Sequence, residues 1–173
     1  CVLTSATDAV VIPEFLGIDN PISIDYLNQH RPQLTVNTIA VGAGQRLGAL
    51  EALLKRLEGQ PGIIFCNFKE SLFDASDFLF DQKIEHECYY GGLDQIDRER
   101  ALVKFRNGTC QLLLATDLAS RGLDIPEIKF IIHLELPYHS NEFTHRNGRT
   151  ARMNAKGGAY VLHKKSKPLP EYI

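Results

Sequence analysis

Long hydrophobic runs are missing from this chain of 173 residues. No apolar stretch approaches the roughly 20 residues that a membrane-spanning helix needs, and no basic flank precedes a long apolar run in the manner of a signal peptide. Paired cysteines are missing too. Cys1, Cys66, Cys88 and Cys110 stand far apart, with no CxxC spacing, which argues against a zinc ribbon or a thioredoxin-like site. They are expected to be reduced thiols of a cytoplasmic protein. An excess of positive charge is also lacking: 19 Lys and Arg face 21 Asp and Glu, for a net charge of -2. A domain that held nucleic acid by bulk electrostatics would be basic, so any such contact here must be local or shared with a partner.

What is present is apolar enough, at 44% hydrophobic residues, for one packed domain of ordinary size. Short β-branched runs at Thr35–Val41, Gly62–Cys66, Ile84–Tyr90, Cys110–Ala115, Phe130–Leu134 and Gly158–Leu162 alternate with amphipathic stretches. The latter lie at Arg46–Leu57, Ser71–Gln82, Gln95–Arg106 and Asn141–Arg146. Leu47, Leu50, Leu53, Leu54 and Leu57 recur at three- and four-residue steps and predict one buried helix face. Ile96, Ala101, Leu102 and Phe105 follow that spacing less cleanly. The almost wholly apolar run CQLLLA at 110–115 is what a strand buried on both faces requires. Together these predict a doubly wound α/β fold: a parallel sheet with helices on both faces. Its ligands would sit off the carboxyl ends of the strands, after Cys66, Tyr90, Ala115 and Leu134. Residues 1–34, with Pro13, Pro21 and Pro32, read as the tail of a preceding domain and a linker. Residues 35–165 read as the folded domain and 166–173 as an exit segment. The apolar opening at Cys1 is expected to be the interior of a longer chain.

Three segments on that predicted edge can carry chemistry. His145-Arg146-Asn147-Gly148-Arg149-Thr150-Ala151-Arg152 holds three arginines. If the stretch is helical, Arg149 and Arg152 share one face. Their planar, permanently charged forks suit a phosphate and could stabilise charge on a transferring phosphoryl group; a solvated basic helix end fits the same residues. Ala115 to Pro126, reading ATDLASRGLDIP, offers a hydroxyl, two carboxylates, an arginine and a close-approach glycine; a capped αβ loop fits the same residues. Tyr90-Gly91-Gly92 before the helix carrying Arg98 makes either an anion-accepting helix start or a plain tight turn.

Taken in order, these segments resemble the second half of the DEAD-box RNA helicase family. Ser5-Ala6-Thr7 matches the family's SAT motif, GIIFCNFK at 62–69 its motif IV, Gly91 through Gln95 and Arg98 its QxxR pattern, ATDLASRGLDIP at 115–126 its motif V, and HRNGRTAR at 145–152 its motif VI. The resemblance runs from residue 1 to about residue 163. It implies a RecA-like domain and position-by-position roles. Arg149 and Arg152 would be the arginine fingers reaching the γ-phosphate of ATP, with Asp124 on the ribose. Arg121 would serve the ATP site, and with His145 would join the two halves of the closed enzyme. Gly91, Arg98, Thr116 and Gly122 would grip RNA phosphates, a backbone target that carries little base readout. Ser5 and Thr7 would couple the ATP and RNA states. The implied partners are RNA and an N-terminal RecA-like domain, which would hold the Mg2+. The domain is expected to be monomeric, with no membrane contact.

There are departures from the pattern. Phe68 replaces a threonine, Tyr90 a histidine, Ser120 an alanine and Ala151 a glycine. These departures and the short linkers suggest a bacterial member. The chain has neither a GxxxxGK[ST] phosphate loop nor a DEAD tetrapeptide, so on its own it is expected to be catalytically silent. The competing expectation is a docking module for a regulatory protein or ribosomal component. A DNA translocase is a weaker third, opposed by histidine rather than glutamine at 145.

Overall fold

A computed structural model describes residues 34–117, 128–150 and 157–173. Among them, six strands form one sheet: β1 (Leu34–Val41), β2 (Gly62–Cys66), β3 (Glu87–Tyr89), β4 (Leu112–Thr116), β5 (Phe130–His133) and β6 (Gly157–Lys164). The order across the sheet is β1-β6-β5-β2-β4-β3, and every neighbouring pair is parallel. Four helices are described: α1 (Arg46–Arg56), α2 (Lys69–Asp81), α3 (Gln95–Arg106) and α4 (Ser140–Asn147). This is the RecA-like doubly wound sheet with helices on both faces.

The pleat assigns side chains to the two faces by parity. Ile64, Cys66, Leu114 and Ile132 pack with Leu50, Leu53 and Leu54 of α1 and Leu72, Ala75 and Leu79 of α2. Ile63, Phe65, Leu113, Ala115 and Ile131 pack the other way, with Ala101 and Phe105 of α3. The central strands β2 and β5 are buried along their whole length, which is why their sequences are continuous rather than alternating. Gly62 is required at the start of β2, because a Cβ there would lie 2.3 Å from the Phe130 ring on β5.

Several predicted boundaries move. β3 begins at Glu87 rather than Ile84, because residues after α2 turn back through Lys83 at φ 59 and Ile84 N–H bonds Leu79 C=O at 2.9 Å. Likewise Cys110 is consumed in closing α3, its N–H reaching Lys104 C=O at 3.0 Å, so β4 starts at Leu112. α2 starts at Lys69, two residues before the expected Ser71. Ile96, expected on the buried face of α3, is 64% exposed. Cys66, Cys88 and Cys110 are free thiols. Burial, then the nearby Glu135 carboxylate, pushes the Cys66 thiol up to about 12, so it is an inert core residue.

Candidate nucleotide and RNA edge

The three central strands β5, β2 and β4 deliver the segments after them to one place. Glu135, Asn67 and Asp117 lie just beyond the carboxyl ends of these strands, and α4 brings Arg146 down onto them. Arg146 is 2% exposed. Its Nε donates to Asp117 Oδ1 at 2.7 Å, and one terminal nitrogen closes the bidentate pair on Asp117 Oδ2. The same fork donates to Glu135 C=O at 3.0 Å and to Asn67 Oδ1 at 2.8 Å. The guanidinium carbon also lies 5.1 Å from the Phe65 ring centroid. A planar fork with five donors can hold such a set of partners; a lysine ammonium cannot.

The network continues outward. Asn67 donates from its backbone N–H to Glu135 Oε2 at 3.0 Å and from its amide to Leu136 C=O at 2.8 Å. Ser71 Oγ donates to Glu135 Oε1 at 3.0 Å, and Arg46 pairs with the same oxygen at 3.4 Å. One carboxylate thereby ties the starts of α1 and α2 to the end of β5. Beneath Arg146, His133 is fully buried, stacked on Phe143 at 4.7 Å and near Phe65 at 6.3 Å. Its Nε2–H donates to Asn147 Oδ1 at 2.9 Å. Burial holds the imidazole neutral, down at about 4, and the buried Nδ1 has no acceptor or donor of its own.

The predicted site residues fall around this framework. His145 is exposed on α4, on the side away from the sheet. Arg149 is half-buried, but α4 ends at Asn147 with Gly148 as its cap. The chain then continues as a turn, with Arg149 N–H on Arg146 C=O at 3.2 Å and Thr150 N–H on Asn147 C=O at 3.1 Å. The condition of one helix running through Arg149 is therefore not met, because α4 stops at Asn147. Thr116 closes β4, nearly buried at 7%. Gly91 is half-buried in the turn before α3, and Gly92 holds φ +111, a conformation that suits glycine. Arg98 stands one turn into α3, its buried Nε without a hydrogen-bond partner. Ser5, Thr7, Arg121, Gly122, Asp124 and Arg152 lie outside the described residues, as do Ser120 and Ala151.

Arg146, Asn67 and Glu135 are the residues that sequence reasoning passed over. The signal was present: Phe143, Arg146 and Asn147 are spaced three and four apart, the buried stripe of a short helix. An arginine inside such a stripe demands a carboxylate, and Asp117 follows the most apolar strand.

The match to known proteins agrees with this architecture. Residues 45–154 match the family described as Helicase conserved C-terminal domain, and the chain belongs to that family. It is a C-terminal RecA-like domain of the DEAD-box RNA helicase kind. It is 36% identical over 154 residues to DEAD-box ATP-dependent RNA helicase 9, mitochondrial, of Arabidopsis thaliana, covering 84% of this chain and 25% of that protein. It is 32% identical over 177 residues to ATP-dependent RNA helicase DBP10 of Cryptococcus neoformans, covering 92% and 22%. The chain thus spans about a quarter of these relatives' length. Among solved structures it resembles the E. coli DEAD-box protein SrmB bound to regulator of ribonuclease activity A. That match has TM-score 0.72 at 28% identity and covers 78% of this chain and 79% of that one. A DEAD box protein from Methanococcus jannaschii matches at TM-score 0.71 and 30% identity, covering 77% and 36%. The two relatives are a plant and a fungal protein, which gives the expected bacterial origin no support.

Proposed function

We propose that this domain is the C-terminal half of an ATP-dependent RNA helicase, working by closure against an N-terminal RecA-like partner domain. The observation that carries the reading is the ion pair that the buried Arg146 makes with the half-buried Asp117. It fastens the end of β4, where Thr116 stands beside Asp117, to α4, the helix just before Arg149. RNA-facing Thr116 and ATP-facing Arg149 then move as one body. Closure is a two-state change, and ligands bias it through contacts made only when the halves meet.

In this reading Arg149 and Arg152 stabilise charge that develops on the transferring phosphoryl group, while Asp124 and Arg121 serve the nucleotide. Gly91, Arg98, Thr116 and Gly122 hold RNA phosphates, and Ser5, Thr7 and His145 couple the halves. Mg2+ is assigned to the N-terminal domain, since the motifs that would position it, GxxxxGK[ST] and the DEAD tetrapeptide, are not in this sequence. The isolated chain is a monomer without turnover, and the parent protein is cytoplasmic. No helix among the described residues is long and apolar enough to cross a membrane.

The test is Arg149→Ala with Arg152→Ala in the parent helicase. RNA-stimulated ATP hydrolysis should fall by about 10³-fold or more while the melting temperature of the domain stays put. Retained turnover would sink the finger assignment. The docking-module reading draws on the SrmB neighbour, a chain of similar extent that was solved with a protein regulator. It would take over if the parent protein ignored RNA and bound a protein partner tightly.

A further inference from the structure

Four aromatic side chains stand along the carboxyl edge of the sheet, outside the buried network. Phe68, directly after β2, is 49% exposed, and Tyr138, beyond β5, is 72% exposed. Their rings meet edge-on at 6.5 Å. Past them on α2, Phe73 meets Tyr90 at 5.0 Å, nearly perpendicular, and Phe73 is itself 42% exposed. Lys69 follows Phe68 in the chain and reaches the second pair, its ammonium 5.7 Å from the Tyr90 centroid. It also lies so close to the Gly91-Gly92 turn that a Cβ on Gly92 would sit 2.9 Å from Nζ. From β5 to β3 the row crosses three strand spacings, about 14 Å at ~4.8 Å each, long enough for more than one base.

Large apolar rings normally leave water on folding. A row of them on the ligand-bearing edge, with a cation set among them, fits a planar, anionic partner: bases against the rings and phosphates against Lys69 and Arg98. The charge balance points the same way. With a net charge of -2, the domain cannot hold RNA by bulk attraction, so a contribution that does not depend on charge is needed, and base–aromatic stacking supplies one.

We infer that Phe68 and Tyr138, flanked by Lys69 and Tyr90, form a stacking platform for the bases of single-stranded RNA. The domain then touches bases as well as backbone. This rests on the RNA reading of the preceding section and extends it from phosphates to bases.

The experiment measures the affinity of the parent helicase, saturated with a non-hydrolysable ATP analogue, for an oligouridylate and for copies carrying one abasic nucleotide at successive positions. At one or more positions, loss of the base should weaken binding about tenfold. That sensitivity should vanish in Phe68→Ala and in Phe68→Leu, which keeps an apolar side chain without the π-face. It should persist in Phe68→Tyr, and Tyr138→Ala should reduce it. Unchanged melting curves show that these surface variants fold. If the unsubstituted protein binds RNA but is indifferent to abasic positions, or if Phe68→Ala and Phe68→Leu retain full abasic sensitivity, the platform is wrong and the backbone clamp survives. If the unsubstituted protein binds no RNA, the helicase reading and the platform fall together.

Discussion

On the face covered by α1 and α2, the buried residues are leucine, isoleucine, alanine, phenylalanine and cysteine, with Thr116 at the margin. On the face covered by α3 and α4, a comparable set of apolar residues shares its interior with His133, Arg146 and Asn147. The first face can be stabilised by burial alone, which is non-directional and tolerates substitution by shape. The second adds partners that must be met at fixed angles, because an unpaired buried donor or charge costs far more than a paired one contributes. Shape-driven packing suffices to build a domain. The directional set fixes where the end of β4 stands relative to α4, and that is the geometry a two-sided clamp needs.

The comparison breaks most sharply at Arg146. Arg146→Ala leaves Asp117, Asn67 and the Glu135 carbonyl facing a hole, and should cost about 3–5 kcal/mol in denaturant unfolding of the chain. Leu79→Ala on the other face falls in a similar range, about 2–5 kcal/mol, so size alone does not separate the faces. The double variant does. Arg146→Met combined with Asp117→Leu removes charge and counter-charge together and should recover much of the loss, while RNA-stimulated turnover of the parent helicase stays low because the linkage is gone. If stability and turnover recover together, the pair serves folding only.

His133 separates the faces by pH. Its folded pKa, about 4, lies below the unfolded value near 6.5. Between those values the unfolded chain binds the extra proton, so stability falls as pH drops from about 6.5 toward 4 and levels off below. The full loss is about 3 kcal/mol. Desolvation dominates the shift, the Asn147 hydrogen bond opposes it, Arg146 reinforces it and Asp117 opposes it. Melting curves at pH 7, 6 and 5 should show the slope, and His133→Gln should flatten the part that belongs to the imidazole. A slope unchanged in His133→Gln would show that the imidazole does not set it.

The apolar face was legible in the sequence because burial leaves a periodic trace: the leucines of α1 and the run before Thr116 announce their own environments. The polar face was legible only in part. Arg146 sits in the same eight residues as Arg149 and Arg152, and a phosphate explanation claims all three equally until the end of α4 divides them. Glu135 and Asn67 carry no local pattern at all. Each is polar for the sake of partners 64 to 89 residues away, and no window of sequence contains both ends of such a bond. The start of β3 was misjudged for a related reason. Ile84 is apolar because it packs beside the α1 and α2 cluster, and apolarity alone does not say whether a residue is in a strand or in the turn before it.

The smallest effect tests how α3 is held. α1 and α2 are preceded by Gln45 and Phe68, neither of which makes a side-chain cap; their leucines suffice. α3 buries only Ala101 and Phe105 and leaves Val103 56% exposed. Its first turn depends instead on Asp94, whose carboxylate accepts the Asp97 N–H at 3.1 Å. Asp94→Ala should therefore cost about 1 kcal/mol and speed amide exchange from Gln95 to Arg98 while leaving α1 unchanged. The same first turn carries Arg98 and follows the Gly91-Gly92 turn beside Lys69, so a loosened α3 should also weaken RNA binding by the closed enzyme. Asp94→Asn, which keeps the accepting oxygen, should restore both exchange protection and affinity. If exchange recovers and affinity does not, the cap holds α3 but the Asp94 charge, not the loosened helix, carries the effect on RNA; if exchange does not recover, α3 is held by something other than its cap.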